Sequence, residues 1–237
     1  MKEIFLLISD GGVCTFLPDE TFALVYAPID LIGSASDIAE QIEDGLGLDF
    51  RGKKLVLVAN CKKTIVRIAD AQMLSGRGLF RRKMSDSDAW EVIKSVFPIG
   101  PSINEETHLF DISHFGKSRY VCCGLPVDLC EKLAEVGKEL TRNIHKVRRL
   151  ETIENMMFAK HCFEDKIIVY PQDDSFRVLT VRDGLPENAF VISNHPDRRE
   201  AEFERILACL GEKREINASF FTLLGADDDL GWVSKYE

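Results

Sequence analysis

The sequence has no run of 18 apolar residues, so it predicts no helix long enough to cross a membrane. Its seven cysteines include no Cys-x-x-Cys pair, and the start at Met1 lacks the long apolar core and cleavage site of a signal peptide. No His-Glu-x-x-His, Gly-x-Ser-x-Gly or Walker-type loop occurs. We therefore expect a reduced, cytoplasmic compartment and no standard zinc-protease, hydrolase or P-loop site.

The composition is that of an ordinary globular protein. The 237 residues are 45% apolar and 29% charged, and they include fifteen phenylalanines. This is enough material for one large domain or two small ones. The formal net charge is −9, so whole-protein electrostatics oppose nucleic acid, and we expect no nucleic-acid partner.

The second half of the chain contains the clearest pattern. Apolar and β-branched runs, separated by turn residues, predict three strands, at Lys166–Tyr170, Phe176–Arg182 and Ala189–Ile192. The turn between the second and third of these strands is predicted at Asp183–Pro186. A helix begins after the strand-breaking residues 194–197 and stops at Gly211, and a further strand is predicted at Ala218–Leu224.

The first half repeats the order β-β-β-α-β without repeating the letters, offset by about 162 residues. The predicted elements are strands at Ile4–Ser9, Val13–Leu17 and Thr21–Tyr26, a helix at Ser34–Glu43 followed by Gly45, and a strand at Lys54–Val58.

Further strands and helices are predicted between the two repeats. They are a strand at Thr64–Ile68, an exposed basic loop at Ala71–Lys83, a helix headed by Ser85–Asp88, paired strands at His108–Ile112 and Arg119–Leu125, a helix from Pro126 to Leu140, a strand at Lys146–Leu150 and a helix at Glu151–His161. Cys122 and Cys123 are adjacent in a strand, so we expect them on opposite faces as small core residues. The alternation predicts an α/β fold with mixed sheets and two lobes flanking a cleft.

This duplicated plan resembles the actin-like, Hsp70-like and sugar-kinase-like fold. The segments Lys53–Ile68, Ser85–Pro98, Ser118–Leu140 and Glu151–His161 are similar in order and character to type IV pilus assembly and type II secretion platform proteins of the PilM and GspL kind. The resemblance implies a first lobe at residues 1–162 with an inserted subdomain at about 62–145, and a second lobe at residues 163–237.

ATP-using members of this fold hold phosphates with glycine-rich turns. Here the first turn keeps Asp10-Gly11-Gly12, which is equally the composition of a plain hairpin turn. The matching turn Tyr170–Asp174 has no glycine but has a proline and two carboxylates, and Leu224–Asp229 has one glycine before three acids. We therefore expect a domain that is degenerate for nucleotide binding, uses no cofactor and is not an enzyme.

The alternative is an ATPase or phosphotransferase of the same fold. In it Asp10 would be the catalytic or metal-orienting acid, with Gly11 and Gly12 at the phosphates. A third interpretation is an unrelated α/β fold with one sheet.

The resemblance implies a non-catalytic adaptor at the cytoplasmic face of an inner membrane. Its expected partners are the hexameric secretion ATPase, inner-membrane platform proteins and a second copy of itself; a membrane-protein tail would bind in the cleft, by strand addition or as an extended segment. Membrane association would come through partners or a membrane helix that follows the domain. The candidate partner-binding residues are basic: Arg81, Arg82, Lys83, Arg148 and Arg149. They suit an acidic partner or anionic lipid, unless they are simply solvated surface.

Two other candidate sites have simpler alternatives. Asp173, Asp174 and Asp227–Asp229 would suit Mg²⁺ or Ca²⁺, but such acidic runs are commonly solvated turns, and we predict no metal. His161 and Cys162 are adjacent, which does not by itself place their side chains together as a nucleophile pair.

Overall fold

A computed structural model describes residues 3–16, 24–70, 86–115, 119–161, 165–172, 175–211, 215–217 and 232–236. The strands are β1 (Glu3–Ser9), β2 (Gly12–Phe16), β3 (Leu24–Pro28), β4 (Lys54–Asn60), β5 (Ile65–Asp70), β6 (His108–Phe115), β7 (Arg119–Pro126), β8 (Val147–Thr152), β9 (Lys166–Gln172), β10 (Ser175–Arg182), β11 (Leu185–Ser193) and β12 (Glu215–Asn217). The helices are α1 (Ala35–Leu46), α2 (Asp86–Val96), α3 (Val127–Thr141), α4 (Ile153–His161) and α5 (Pro196–Leu210), and short 3₁₀ turns cover Ile144–Lys146 and Val233–Tyr236.

Two mixed sheets carry the repeated pattern. The first has the order β3-β2-β1-β4-β8, with an antiparallel meander in β1–β3 and parallel pairing of β1 with β4 and of β4 with β8. The second has the order β11-β10-β9-β12, with the same antiparallel meander and a parallel β9–β12 pair. Helices α1 and α5 occupy equivalent places in the two units, so the predicted β-β-β-α-β duplication is confirmed.

A third sheet, of order β5-β7-β6, is antiparallel throughout and packs against α2. Cys122 belongs to the small core beneath α2, whereas Cys123 faces the main core, as expected for adjacent strand residues. Burial raises the pKa of the Cys122 thiol to about 12, so this thiol stays protonated at neutral pH. Helix α3 packs instead with α1 and the first sheet, in a separate core.

Helix α1 is longer than predicted. Ser34 and Asp37 form a capping box at its start, but the helix continues through Gly45 to Leu46, and Gly47 with φ +62° ends it. A Cβ at position 45 would lie 2.5 Å from the Cβ of Ala27 on β3. Gly45 is therefore a close-packing position and not a helix stop.

Most other boundaries differ from the prediction by a few residues, and the differences at β11, α4 and β12 have identifiable causes or consequences. Strand β11 begins at Leu185, because Asp183 and Gly184, both with positive φ, make a two-residue hairpin turn. Helix α4 begins at Ile153, because Glu151 and Thr152 still pair with β4. The predicted strand at 218–224 lies outside the described residues; the strand that pairs with β9 is β12, three residues long.

Candidate functional site

The β1–β2 turn is stabilised by contacts within the protein. Asp10 Oδ2 accepts a 2.8 Å hydrogen bond from the backbone N–H of Lys62, in the turn after β4. A Cβ at Gly12 would lie 2.4 Å from the ring of Tyr26, whose hydroxyl donates to the Gly11 carbonyl at 3.4 Å. The close approach of this ring gives Gly12 a packing role that needs no phosphate.

A small cavity of about 180 Å³ lies beside this turn. Its charged lining residues are Asp10, Lys63, Asp128 and Lys132, so the two signs balance. The Lys132 ammonium donates to the Leu31 carbonyl. Ligand pockets are typically about 300–1,000 Å³, so this cavity is small for a nucleotide.

In the second β-β-β-α-β unit, the segment that matches the β1–β2 turn follows β9. The end of β9 is hydrogen-bonded directly to the first unit. Strand β9 continues through Pro171 and Gln172; Asp173 and Asp174 lie outside the described residues. Gln172 Nε2 donates to Asn60 Oδ1 at 3.3 Å and to the Cys61 carbonyl at 3.2 Å. Asn60 Nδ2 donates in return to the Pro171 carbonyl at 3.2 Å. The end of β4 is thus hydrogen-bonded to the end of β9.

Arg177 is the centre of this network and is almost completely buried. Its Nη2 donates to Gln172 Oε1 at 2.6 Å and to the Thr64 carbonyl at 3.0 Å, and its Nε lies 3.4 Å from Glu154 Oε1. The side chains of Arg177 and Glu154 are 5% and 0% exposed. Burial raises the pKa of Glu154, and the charge of Arg177 opposes that rise. The guanidinium is therefore used inside the protein and is not presented to a ligand.

A larger groove of about 570 Å³ lies between β6, β8 and α4, beside β1. Within the part of the chain that the structure describes, β6 pairs only with β7, and β8 pairs only with β4, so the groove lies beside two edge strands. Its lining residues are Phe5, Asp111, Ser113, His114, Phe115, Arg149, Glu151, Asn155, Met156 and Ala159. A strand edge beside an open groove can accept an extended peptide.

The groove combines an apolar surface with a charged wall. Phe5, Phe115 and Met156 supply the apolar part, and all three are partly buried. Arg149 Nε lies 2.9 Å from Glu151 Oε1. Burial raises the pKa of Glu151, Arg149 lowers it, and the nearby Asp111 and Glu3 charges raise it further.

Sequence reasoning identified part of this groove. Arg149 lines it, and neighbouring Arg148 is exposed. Arg81, Arg82 and Lys83 lie outside the described residues, as do Asp227–Asp229 and Cys162, and the His161 side chain is not described. The acids Asp111 and Glu151 were missed: Asp111 lay in a predicted strand and Glu151 at the start of a predicted helix, and neither pattern indicated a groove.

Two findings concern absences within the described ranges. No group of three or more His, Cys, Asp or Glu residues there is placed to hold a metal ion. None of the helices described combines the length and apolar character that a membrane span requires.

Comparison with solved structures identifies the fold. The cytoplasmic domain of EpsL, an inner-membrane component of the type II secretion system of Vibrio cholerae, superposes with a TM-score of 0.52 and 10% identity, over 81% of this chain and 71% of that one. A Bacteroides thetaiotaomicron protein with an actin-like ATPase fold gives 0.56 and 12%, over 99% and 87% of the two chains. The PilM–PilN type IV pilus biogenesis complex gives 0.54 and 11%, over 90% and 66%. No protein-family model and no curated protein sequence matches. The chain has the actin-like fold, which confirms the predicted fold class.

Proposed function

We propose that this protein, an actin-like domain, is a non-catalytic adaptor of an inner-membrane platform that assembles pili or secretes proteins. Its fold likeness to the EpsL cytoplasmic domain and to the PilM–PilN complex supports the platform role. The adaptor would work at the cytoplasmic face of the inner membrane, contacting platform proteins and the hexameric secretion ATPase. Fold alone is a weak warrant for function, so the proposal depends on the geometry of a site.

The observation that carries the proposal is the groove between β6, β8 and α4. An extended segment of a partner could pair its backbone with the free edge of β6, whose residues Asp111–Phe115 border the groove. Every second side chain of that segment would then point toward the apolar surface of Phe5 and Met156. This arrangement suits a membrane-protein tail, which is short and unpaired before it binds.

The buried network around Arg177 supports the part of the proposal that describes the protein as non-catalytic. The Asp10 carboxylate is hydrogen-bonded to the chain at Lys62, and the Arg177 guanidinium is enclosed by Glu154, Gln172 and the Thr64 carbonyl. The Arg177 guanidinium is thus not presented to a phosphate, whereas phosphoryl transfer requires charged groups that face the transferred phosphate. Asp10 lines the small cavity beside the β1–β2 turn, and its carboxylate already accepts one hydrogen bond there.

We expect Ala159→Trp to weaken partner binding strongly, because Ala159 lines the groove on α4 and an indole would fill the space. The measurement is binding to an array of cytoplasmic tails of inner-membrane proteins, where the wild-type chain should select a small set. Ala159→Trp should weaken those signals at least about tenfold, corresponding to about 1.4 kcal/mol.

The matched control is Ala201→Trp, at an exposed position of α5. It should keep the wild-type binding pattern, and both variants should melt close to the wild-type temperature. If both tryptophan variants bind the same tails equally well, or if no tail binds the wild-type chain, the groove is not a partner site.

We expect no binding of Mg²⁺–ATP at millimolar concentration in calorimetry, and no thermal shift. Ligand at a tenfold excess over its Kd would stabilise the protein by about 1.4 kcal/mol. A shift that Asp10→Ala removes would instead support the ATPase or phosphotransferase alternative.

A further inference from the structure

Carboxylates outnumber cations on the charged wall of the groove. Of the described side chains that line it, Asp111 and Glu151 are acidic and Arg149 is the one permanent cation. Glu3 adds a third carboxylate close enough to act on Glu151. Because Arg149 is already paired with Glu151 at 2.9 Å, its charge is compensated inside the wall.

Asp111 has no cationic partner among the residues that the structure describes. Its Oδ2 accepts a 2.9 Å hydrogen bond from Asn155 Nδ2, which is a neutral amide. A neutral amide donor brings no positive charge to a carboxylate, and the carboxylate oxygens can accept further hydrogen bonds. The groove therefore presents, on its β6 side, a carboxylate that is paired only with a neutral amide among the described residues.

Asn155 adds an independent observation. This side chain lies in the groove wall, is 7% exposed, and its Oδ1 accepts no hydrogen bond from any residue that the structure describes. A buried acceptor left without a donor is unfavourable, because it has given up its hydrogen bonds to water. Asp111 and Asn155 thus both have spare acceptor capacity, while the ammonium of lysine offers three donors and the guanidinium of arginine five.

We infer that the segment bound in the groove carries a lysine or arginine that pairs with Asp111, beside Asn155 and the Arg149–Glu151 pair. The inference rests on the proposed function and names the chemistry of the partner. It differs from the acidic partner expected from Arg148 and Arg149, because an acidic side chain here would meet Asp111 with like charge.

The spacing of the basic residue follows from strand geometry. In a segment paired with β6, side chains alternate between the two faces, so residues two apart share the groove-facing side. The side chain beside Asp111 would be basic, and its neighbour two positions along would face the apolar surface of Phe5, Phe115 and Met156. The expected motif is basic–any–apolar.

Selection from a library of random nonapeptides displayed on phage, with the full chain as bait, tests this inference. Peptides enriched by the wild-type chain should share lysine or arginine with an apolar residue two positions away. The variant Asp111→Asn with Glu151→Gln should lose the basic preference, and Glu131→Gln with Asp197→Asn, at exposed positions of α3 and α5, should keep it. In the best peptide, replacing the basic residue by glutamine should weaken binding about tenfold, and less in 1 M salt.

The peptide selection distinguishes a failure of the basic-residue inference from a failure of the proposed groove function. Peptides that are enriched without a basic residue, and whose binding Ala159→Trp still blocks, would overturn this inference and leave the groove function standing. No enrichment on the wild-type chain relative to Ala159→Trp would overturn the groove function itself, and with it this inference.

Discussion

Replacing Arg177 by methionine is expected to lower the free energy of unfolding by about 3–5 kcal/mol at pH 8, because it leaves a buried carboxylate without its cation. Glu154 is fully buried, and the Arg177 Nε lies 3.4 Å from its Oε1. The same substitution removes the donors to Gln172 and to the Thr64 carbonyl. Urea denaturation followed by circular dichroism measures the effect.

The loss should shrink at lower pH. Glu154 has a pKa raised above its ordinary value of 4.5, so the native state holds a proton that the unfolded chain has released, and stability falls as pH rises from about 4.5 through the raised pKa. Arg177 lowers this pKa, so its removal raises it further and extends the unfavourable range upward. The difference between Arg177→Met and the wild type is therefore smaller at pH 5 than at pH 8.

Arg142→Met is the control, because Arg142 and Glu139 form a 2.8 Å pair with side chains 53% and 34% exposed. Such a pair contributes at most about 1 kcal/mol. In the double variant Glu154→Met with Arg177→Met, the loss should be less than the sum of the single losses. A cost below about 1 kcal/mol for Arg177→Met at both pH values would show that the network does not stabilise the fold.

Replacing Trp232 by alanine is expected to cost about 3–5 kcal/mol, the usual range for a large buried aromatic side chain. Trp232 is 7% exposed and packs edge-on against Phe176 and Phe203, with ring centroids 5.5 and 5.3 Å away. The Arg199 guanidinium lies 5.5 Å from the centre of the indole ring. The residue thus ties the C-terminal 3₁₀ turn to β10 and α5.

Two further substitutions test whether the loss of stability in Trp232→Ala comes from the packing of the aromatic ring. Trp232→Phe should cost less than the alanine change, because it keeps an aromatic ring and removes an Nε1–H that is buried without a hydrogen-bond partner among the described residues. Ile32→Ala, at a side chain 88% exposed, should stay within about 0.5 kcal/mol of the wild type. Equal stability of Trp232→Ala and Ile32→Ala would contradict the packing described.

Local patterns explain why the order of elements could be predicted. Hairpin turns such as Asp183–Gly184 and the cap at Ser34 depend on residues a few positions apart. Helix ends were predicted less well where packing overrode a local signal. Gly45 had the composition of a stop, yet α1 continues because the missing side chain admits Ala27.

Burial was less predictable than element type. In Phe176–Arg182 apolar residues alternate with polar ones, a pattern typical of a strand with one solvated face, but residues 176–181 are all buried. Arg177 is enclosed because β10 has protein on both faces, with Glu154 and Thr64 contributed by distant elements. Polar residues on such a strand are accommodated by internal partners, which alternation cannot reveal.

The sequence by itself determined the α/β class, the duplicated β-β-β-α-β order and the position of most turns, because periodicity and turn propensity act over a few residues. Only the tertiary structure decided where the network and the groove would form. The network joins residues as far apart as Thr64 and Arg177, 113 positions along the chain. The groove arises where the edges of two different sheets, at β6 and β8, come together over α4. Contacts at such separations are set by the packing of whole sheets, which short-range patterns do not specify.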